Sequence, residues 1–150
     1  MRVGEICVRT VSHVTRGTSV VEAARRMREE HVGDLVVVDA SDGSPRPVGL
    51  LTDRDVVVGI LASDADHLRS LDVGDVIGGT LVTASEDEDL APVLKRMRSF
   101  GVRRVPVVDE RGGLIGILSV DDVLPALSDE LAELAALMSR QAQREPERRP

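Results

Sequence analysis

The chain contains two copies of one sequence unit, and this internal repeat constrains the fold more than any other feature of the sequence. A shift of 70 residues places Arg26-Met27-Arg28 on Arg96-Met97-Arg98. After the segment ASDGSPRP, which has the composition of a turn, the shift becomes 67 and Gly49 matches Gly116. Because an insertion confined to a turn leaves the flanking strands in register, we infer that the repeat is structural.

Each copy is predicted to follow the order β-α-β-β-α. A short strand is expected around His13 and Val14 in the first copy, and around Val82 and Thr83 in the second. A helix comes next, since apolar residues then recur at helical spacing on one face. Two further strands and a second helix complete the copy, with the strands at residues 35–38 and 48–51 in the first copy and at 105–108 and 114–118 in the second.

The size of one copy indicates how the two are arranged. A unit of about 60 residues is marginally stable alone, so the copies are expected to bury their sheets against each other. The predicted fold class is α/β (α+β), with two β-α-β-β-α repeats packed with pseudo-two-fold symmetry. We assign residues 1–66 to repeat one, residues 67–128 to repeat two, and residues 129–150 to a C-terminal helix and flexible tail.

The end of the chain carries an apolar stripe that extends beyond the repeat. Its members lie alternately three and four residues apart, the seam pattern of paired helices, at Leu124, Leu127, Leu131, Leu134 and Met138. Pro125 is expected to kink or interrupt this helix. Two interpretations stay open, a helix packed on its own domain and a helix that binds a partner or a second copy. The final segment, SRQAQREPERRP, predicts a frayed or disordered tail.

Composition and charge argue against several classes of function. The net charge of -7 argues against nonspecific nucleic-acid binding, which needs a basic surface. No apolar run reaches the roughly 18 residues of a membrane span. The single cysteine, Cys7, cannot form a disulfide within the chain, and a reducing cytoplasm is expected. No GxSxG, P-loop or GxGxxG motif occurs and no His or Cys cluster has metal-ligand spacing, so we predict neither an enzyme nor a metal site.

One phrase recurs at matching points of the two copies, as GLLTDRD and as GILSVDD. In each copy a strand ends at a hydroxyl residue, Thr52 or Ser119, and a helix begins there. The N-terminus of that helix favours an anion such as phosphate. Three residues later, Asp55 or Asp122 offers carboxylate oxygens that can accept both vicinal hydroxyls of a ribose. The phrase suits a ribonucleotide, but the same pattern also caps helices, so both interpretations stay open.

The repeated unit resembles the CBS domain, named after cystathionine β-synthase. The resemblance is carried by TSVVEAARRMREEHVGDLVVVD and GLLTDRD in copy one and by VRRVPVVDERGGLIGILSVDD in copy two, and it spans roughly residues 1–127. It implies a tandem pair, often called a Bateman module, that binds AMP, ADP, ATP or S-adenosylmethionine in clefts between the copies. It also implies a stand-alone regulatory module that forms a homodimer and signals to a partner protein, which the sequence does not identify.

The resemblance also implies roles for individual residues. In the family, the Ser/Thr-x-x-Asp element contacts ribose and phosphate, and this carries to two pairs, Thr52 with Asp55 and Ser119 with Asp122. The short first strand lines the adenine pocket in the family, which implies that role for His13 and Thr83. His13 stands where a small hydroxyl is common, and a surface histidine is the alternative interpretation for it.

Nearby charges predict that the two sites are unequal. Asp34 stands where the family usually has an uncharged or apolar residue, and with Asp53 it is expected to oppose an anionic ligand beside Asp55. Arg103 and Arg104 are expected to bind phosphate, with a solvated strand edge as the alternative. The sequence therefore ranks the site of copy two as the better nucleotide site, built from Ser119, Asp122, Thr83, Arg103 and Arg104. A ligand-free dimerisation or interaction module is the alternative function.

Overall fold

The computed structural model describes residues 1–144, and the repeat forms two similar units within them. The first unit begins with helix α1 (Val3–Ile6), strand β1 (His13–Thr15), helix α2 (Val20–Glu30) and strands β2 (Asp34–Asp39) and β3 (Arg46–Thr52). It ends in a helical segment with π-helical geometry over Asp55–Leu61, which continues through α3 (Ala62–Asp64) and a 3-10 helix over Ala65–Ser70.

The second unit repeats this order. It comprises helix α4 (Val73–Val76), strand β4 (Ala84–Ser85), helix α5 (Leu90–Phe100), strands β5 (Arg104–Val108) and β6 (Leu114–Ser119), and helix α6 (Val120–Arg144). Each unit has one three-stranded sheet, in which the first strand is parallel to the central one and the third is antiparallel to it. Both sheets carry a register shift at the same place, after Val37 and after Val107. The predicted mixed α/β fold is confirmed.

The first strand of the second unit begins later than predicted. The sequence places it around Val82 and Thr83, whereas pairing starts at Ala84, which faces Val107. In the first unit the amide of Val36 donates to the carbonyl of Ser12 at 3.0 Å. The position that matches Val36 is Pro106, which has no amide hydrogen, so the ladder cannot extend back to Val82.

The short helix at the start of each repeat packs into the other unit. Val3 of α1 is fully buried in the core of the second unit, and Val73 of α4 is fully buried in the core of the first. Backbone hydrogen bonds hold both helices in place, among them Val3 N to Glu88 O at 3.0 Å and Val73 N to Thr18 O at 2.8 Å. The two units therefore exchange their first helices: α1 packs into the second unit and α4 into the first. The repeat boundaries at residues 1–66 and 67–128 stay a prediction from the sequence.

The exposure of helix α6 argues against one of the two interpretations of the apolar stripe. It runs unbroken through Pro125, so the expected interruption is wrong. Pro125 lies in the second turn, where the missing amide removes only the bond to the carbonyl of Asp121. Val123 is buried against the second unit, but residues 127–141 are all exposed, so the stripe is not packed on its own domain. Of the predicted disordered tail, residues 139–144 are helical and 145–150 lie outside the described residues.

Candidate functional site: two clefts between the repeats

The repeated hydroxyl–aspartate pair forms a reciprocal helix cap in both units. The amide of Asp55 donates to Thr52 Oγ1 at 3.1 Å, and the amide of Thr52 donates to Asp55 Oδ2 at 2.9 Å. In the second unit, the amide of Asp122 donates to Ser119 Oγ at 3.2 Å. Both the amide and the hydroxyl of Ser119 donate to Asp122 Oδ2, at 3.2 and 2.5 Å. The capping interpretation therefore describes the local structure of both phrases.

Capping uses only one oxygen of each aspartate. All three hydrogen bonds to these carboxylates run to Oδ2, and Oδ1 of Asp55 and of Asp122 accepts no hydrogen bond from the residues that the structure describes. An ionised carboxylate has about four acceptor positions, so a second oxygen on each side chain is available to a hydroxyl donor. Helix capping and ribose binding are thus compatible functions of the same side chain.

The first cleft, which we call the Asp55 cleft, has a volume of about 570 Å³. Thr52 and Asp55 of the first unit form one wall. The other walls include two arginines and the segment before β4 of the second unit, namely Arg16, Arg104, Thr80, Leu81 and Val82. The cleft is therefore built from both units.

The second cleft, which we call the Asp122 cleft, is smaller, about 270 Å³. Ser119 and Asp122 of the second unit form one wall. The opposite wall comes from the first unit and includes Thr10, Val11, Ser12, His31 and Asp34, and Arg104 also lines this cleft. Each cleft thus combines the hydroxyl–aspartate pair of one unit with the segment before the first strand of the other.

This crossing corrects the grouping expected from the sequence. Asp34 lies in the Asp122 cleft, although the sequence placed its charge beside Asp55. The segment preceding Thr83 lines the Asp55 cleft, although Thr83 was grouped with Asp122. The sequence pattern identifies equivalent positions in the two repeats, but it contains no information on which unit each position faces.

Arg104 connects the two clefts. Its Nε lies 3.0 Å from Asp34 Oδ2, so this ion pair joins β5 of the second unit to β2 of the first. The side chain of Asp34 is only 12 % exposed. Burial raises the pKa of the Asp34 carboxyl, and Arg104 opposes that rise, while the nearby Asp53 adds to it. Arg103, by contrast, lines neither cleft and its side chain is 76 % exposed beside Asp121.

His13 and Thr83 act through their backbone rather than through side chains that line a cleft. The carbonyl of His13 accepts a hydrogen bond from Arg26 at 2.8 Å, and the carbonyl of Thr83 accepts one from Arg96 at 2.9 Å. These two arginines occupy the same position in the repeated RMR motif. They hold the segments that form one wall of each cleft, and sequence reasoning missed this role although the repetition of the motif was its signal.

In the part of the chain that the structure describes, no three His, Cys, Asp or Glu side chains group in a way that could hold a metal ion. Across residues 1–144, no helix combines the length and the apolar character needed to cross a membrane.

Two crossed clefts between tandem β-α-β-β-α units define a class of protein, and comparison with known sequences identifies it. The family model for the CBS domain matches residues 3–62 and 73–129, so the chain belongs to the CBS domain family and contains a tandem pair. It is 34 % identical over 122 residues to protein MK0525 of Methanopyrus kandleri. That match covers 81 % of this chain and 60 % of the relative's length.

Two solved structures are similar to this chain in fold. The CBS domain pair of protein MJ0100, in complex with 5-methylthioadenosine and S-adenosyl-L-methionine, is similar with a TM-score of 0.71–0.73 and 23–24 % identity, over 85–87 % of this chain and 98–99 % of that one. The cytosolic domain of the Mg²⁺ channel MgtE, in complex with ATP, is 30 % identical with a TM-score of 0.68. That match covers 83 % of this chain and 48 % of the other.

Proposed function

We propose that this protein is a regulatory module that binds an adenosine nucleotide, AMP, ADP or ATP, or S-adenosylmethionine, in the clefts between its repeats. The observation that carries the proposal is the crossed construction of the clefts. Each one brings an aspartate with an available carboxylate oxygen on one unit against a segment of the other unit. A ligand held there contacts both units at once.

The chemistry of the cleft supports a ribonucleotide in particular. The free Oδ1 of Asp55 or Asp122 can accept a ribose hydroxyl, and such charge-assisted bonds contribute about 1.5–3 kcal/mol each. The arginines of the Asp55 cleft supply donors for phosphate. The ligands named for the similar structures, ATP for MgtE and adenosyl compounds for MJ0100, belong to the same chemical class.

Signalling follows from the ligand's contacts with both units. A ligand that prefers one relative placement of the two units shifts the population toward it, by as much as its affinities for the two states differ. The units meet through an ion pair, Arg104 with Asp34, and through the exchanged helices α1 and α4. A change in this contact is the signal that we expect a partner protein to detect.

Thermal unfolding in the presence of ligands tests the proposal. A ligand at one hundred times its Kd stabilises the folded state by about 2.7 kcal/mol, so a binding adenosyl compound raises the Tm. We expect AMP, ADP, ATP or S-adenosylmethionine to do so for the native chain, and the double variant Asp55→Asn/Asp122→Asn to lose the effect. If none of the four ligands raises the Tm, the nucleotide-binding function is overturned.

We also propose that the module is a homodimer, with the apolar stripe of α6 as part of its interface. Leu131 and Leu134 are 66 % and 59 % exposed, and the stripe has the three–four spacing of paired helices. An isolated helix with so much exposed apolar surface gains little stability in water, since most helical stability comes from packing. The regular spacing favours a second copy of α6 as the occupant.

Sedimentation tests the dimer and, together with the ligand experiment, the alternative function. We expect about twice 16.1 kDa at micromolar concentration, and a monomer for Leu131→Glu/Leu134→Glu. Ala136→Glu, on the opposite face of the same helix turn, is the matched control and should stay dimeric. A monomeric native chain contradicts the dimer. A dimer that binds none of the four ligands favours the alternative, a ligand-free dimerisation module.

A further inference from the structure

The two clefts differ in charge at positions that the repeat makes equivalent. The 70-residue shift of the repeat places Asp34 on Arg104, and Arg16 on Glu86. Arg104 lines both clefts, whereas Arg16 lines only the Asp55 cleft and Asp34 only the Asp122 cleft. Glu86 lines neither. The repeat symmetry is therefore broken at the positions that decide whether an anion is attracted or repelled.

The remaining charges do not cancel this difference. Arg16 forms no ion pair with another described residue, so its guanidinium is available to a ligand in the Asp55 cleft. Glu86 is paired with Arg9 at 3.1 Å, so it contributes little net charge. In the Asp122 cleft the one arginine of the lining is Arg104, and it is already paired with Asp34 at 3.0 Å and with Asp121 at 3.7 Å, so no unpaired arginine lies there beside Asp122.

The backbone makes the two clefts differ in size as well as in charge. In the Asp122 cleft, the amide of Val36 donates to the carbonyl of Ser12 and ties that wall to the sheet. In the Asp55 cleft, Pro106 stands at the matching position and cannot donate to Val82. The Asp55 cleft is about 570 Å³ and the Asp122 cleft about 270 Å³. The larger volume of the Asp55 cleft leaves more room for the phosphates of a nucleotide.

We propose that the two clefts sort ligands by charge: the Asp55 cleft binds the phosphate-bearing nucleotide, and Asp34 closes the Asp122 cleft to phosphate. The Asp122 cleft then takes an adenosyl compound without phosphate, neutral or cationic. Exclusion by a misplaced like charge is a general route to specificity. This inference rests on the proposed nucleotide-binding function and reverses the order of the sites expected from the sequence.

Calorimetric titration with AMP tests the assignment of the clefts. The native chain should bind one equivalent of AMP per chain. Asp55→Asn should lose that binding, and Asp122→Asn should keep it. Asparagine preserves the side-chain shape and keeps an amide oxygen that can accept the hydrogen bond from the amide of Thr52 or Ser119, so both variants should fold, which their melting curves check. Adenosine and S-adenosylmethionine, which carry no phosphate, should still bind to Asp55→Asn.

The role of Asp34 is tested in a chain whose Asp55 cleft is disabled, because Asp34→Asn alone also releases Arg104 toward that cleft. Asp34→Asn/Asp55→Asn should bind AMP at least about tenfold more tightly than Asp55→Asn does. Asp39→Asn/Asp55→Asn is the matched control, since Asp39 lies on the same strand and lines neither cleft. The control should bind AMP no better than Asp55→Asn.

The outcomes separate this inference from the proposed function. Charge sorting is overturned if the native chain binds two equivalents of AMP with equal affinity, if Asp122→Asn removes AMP binding, or if removing Asp34 brings no gain. Each of these results leaves nucleotide binding intact. If AMP, adenosine and S-adenosylmethionine all fail to bind the native chain, the proposed function falls and the sorting falls with it.

Discussion

At the scale of single residues, the repeated phrase contains a glycine whose purpose the structure reveals. A Cβ atom at Gly116 would lie 3.0 Å from Cys7 Sγ and 3.1 Å from the carbonyl oxygen of Val8. At Gly49 it would meet the side chain of Ile77, which matches Cys7 in the repeat. A glycine within a strand permits a close approach of other atoms, but the sequence does not show that these atoms belong to the segments after α1 and α4.

Gly116→Ala is therefore expected to destabilise the fold by about 1–3 kcal/mol, as overpacked positions do. The backbone of Val8 cannot withdraw freely, because it exchanges two hydrogen bonds of 2.9 Å with Ile117. Gly59→Ala is the matched control. It lies in a helical segment with no atom within 4 Å of the added methyl, and should be neutral or slightly stabilising. Urea unfolding measures both, and equal stabilities of the two variants would contradict the packing argument.

At the scale of elements, the strands were predictable because their apolar runs and turns are local properties of the sequence. Two features were not. The late start of β4 depends on Pro106, which acts on a strand distant in the chain. The contact of Arg96 with the carbonyl of Thr83 depends on how α5 lies across the sheet, whereas an arginine on a helix is usually solvated. Both features shape the wall of the Asp55 cleft.

The ion pair between Glu88 and Arg96 is expected to make the stability of the folded state depend on pH. Glu88 accepts from both terminal nitrogens of Arg96, at 2.7 and 2.8 Å, and these hydrogen bonds lower the pKa of Glu88. A carboxyl group whose pKa is lower in the folded state than in the unfolded state stabilises the folded state. This stabilisation is complete at a pH above the pKa of the unfolded state, near 4.5, and is lost as the pH falls through the lower pKa of the folded state. Because water still reaches about a third of Arg96, we expect Glu88→Gln to lose only about 1 kcal/mol at pH 7.

Urea unfolding of the native chain and of Glu88→Gln between pH 7 and pH 3 measures this effect. The difference in stability should shrink as the pH falls below about 4.5, since the native carboxylate then becomes protonated as well. Asp87→Asn is the control, because its pair with Arg2 is exposed and should change stability little at any pH. A difference between native chain and Glu88→Gln that does not depend on pH would assign Glu88 a packing role only.

At the scale of the whole molecule, the sequence predicts a single module from the marginal size of one repeat, and the structure supplies a stronger reason. The core of each unit is completed by a valine from the other repeat's first helix, Val3 in one case and Val73 in the other. A repeat pattern cannot reveal such an exchange. The same positions of the two repeats match whether each first helix packs on its own unit or on the other unit. The clefts have the same crossed construction, and for the same reason the sequence did not predict which unit supplies each wall.

The exchange predicts that the two units unfold together. Val3→Ala and Val73→Ala each remove a fully buried side chain from one core, and each should cost about 2–3 kcal/mol. Both variants should lower the midpoint of one shared unfolding transition, followed by circular dichroism in urea, and neither should produce a second transition.

The exchanged helices also predict how well two fragments of similar length fold alone. Residues 9–79 include α4 and omit α1, so they should be more folded than residues 1–66, which lack the helix that fills their core. Two resolved transitions in either variant, or a fragment 1–66 that folds as well as 9–79, would show that the exchanged helices do not couple the units.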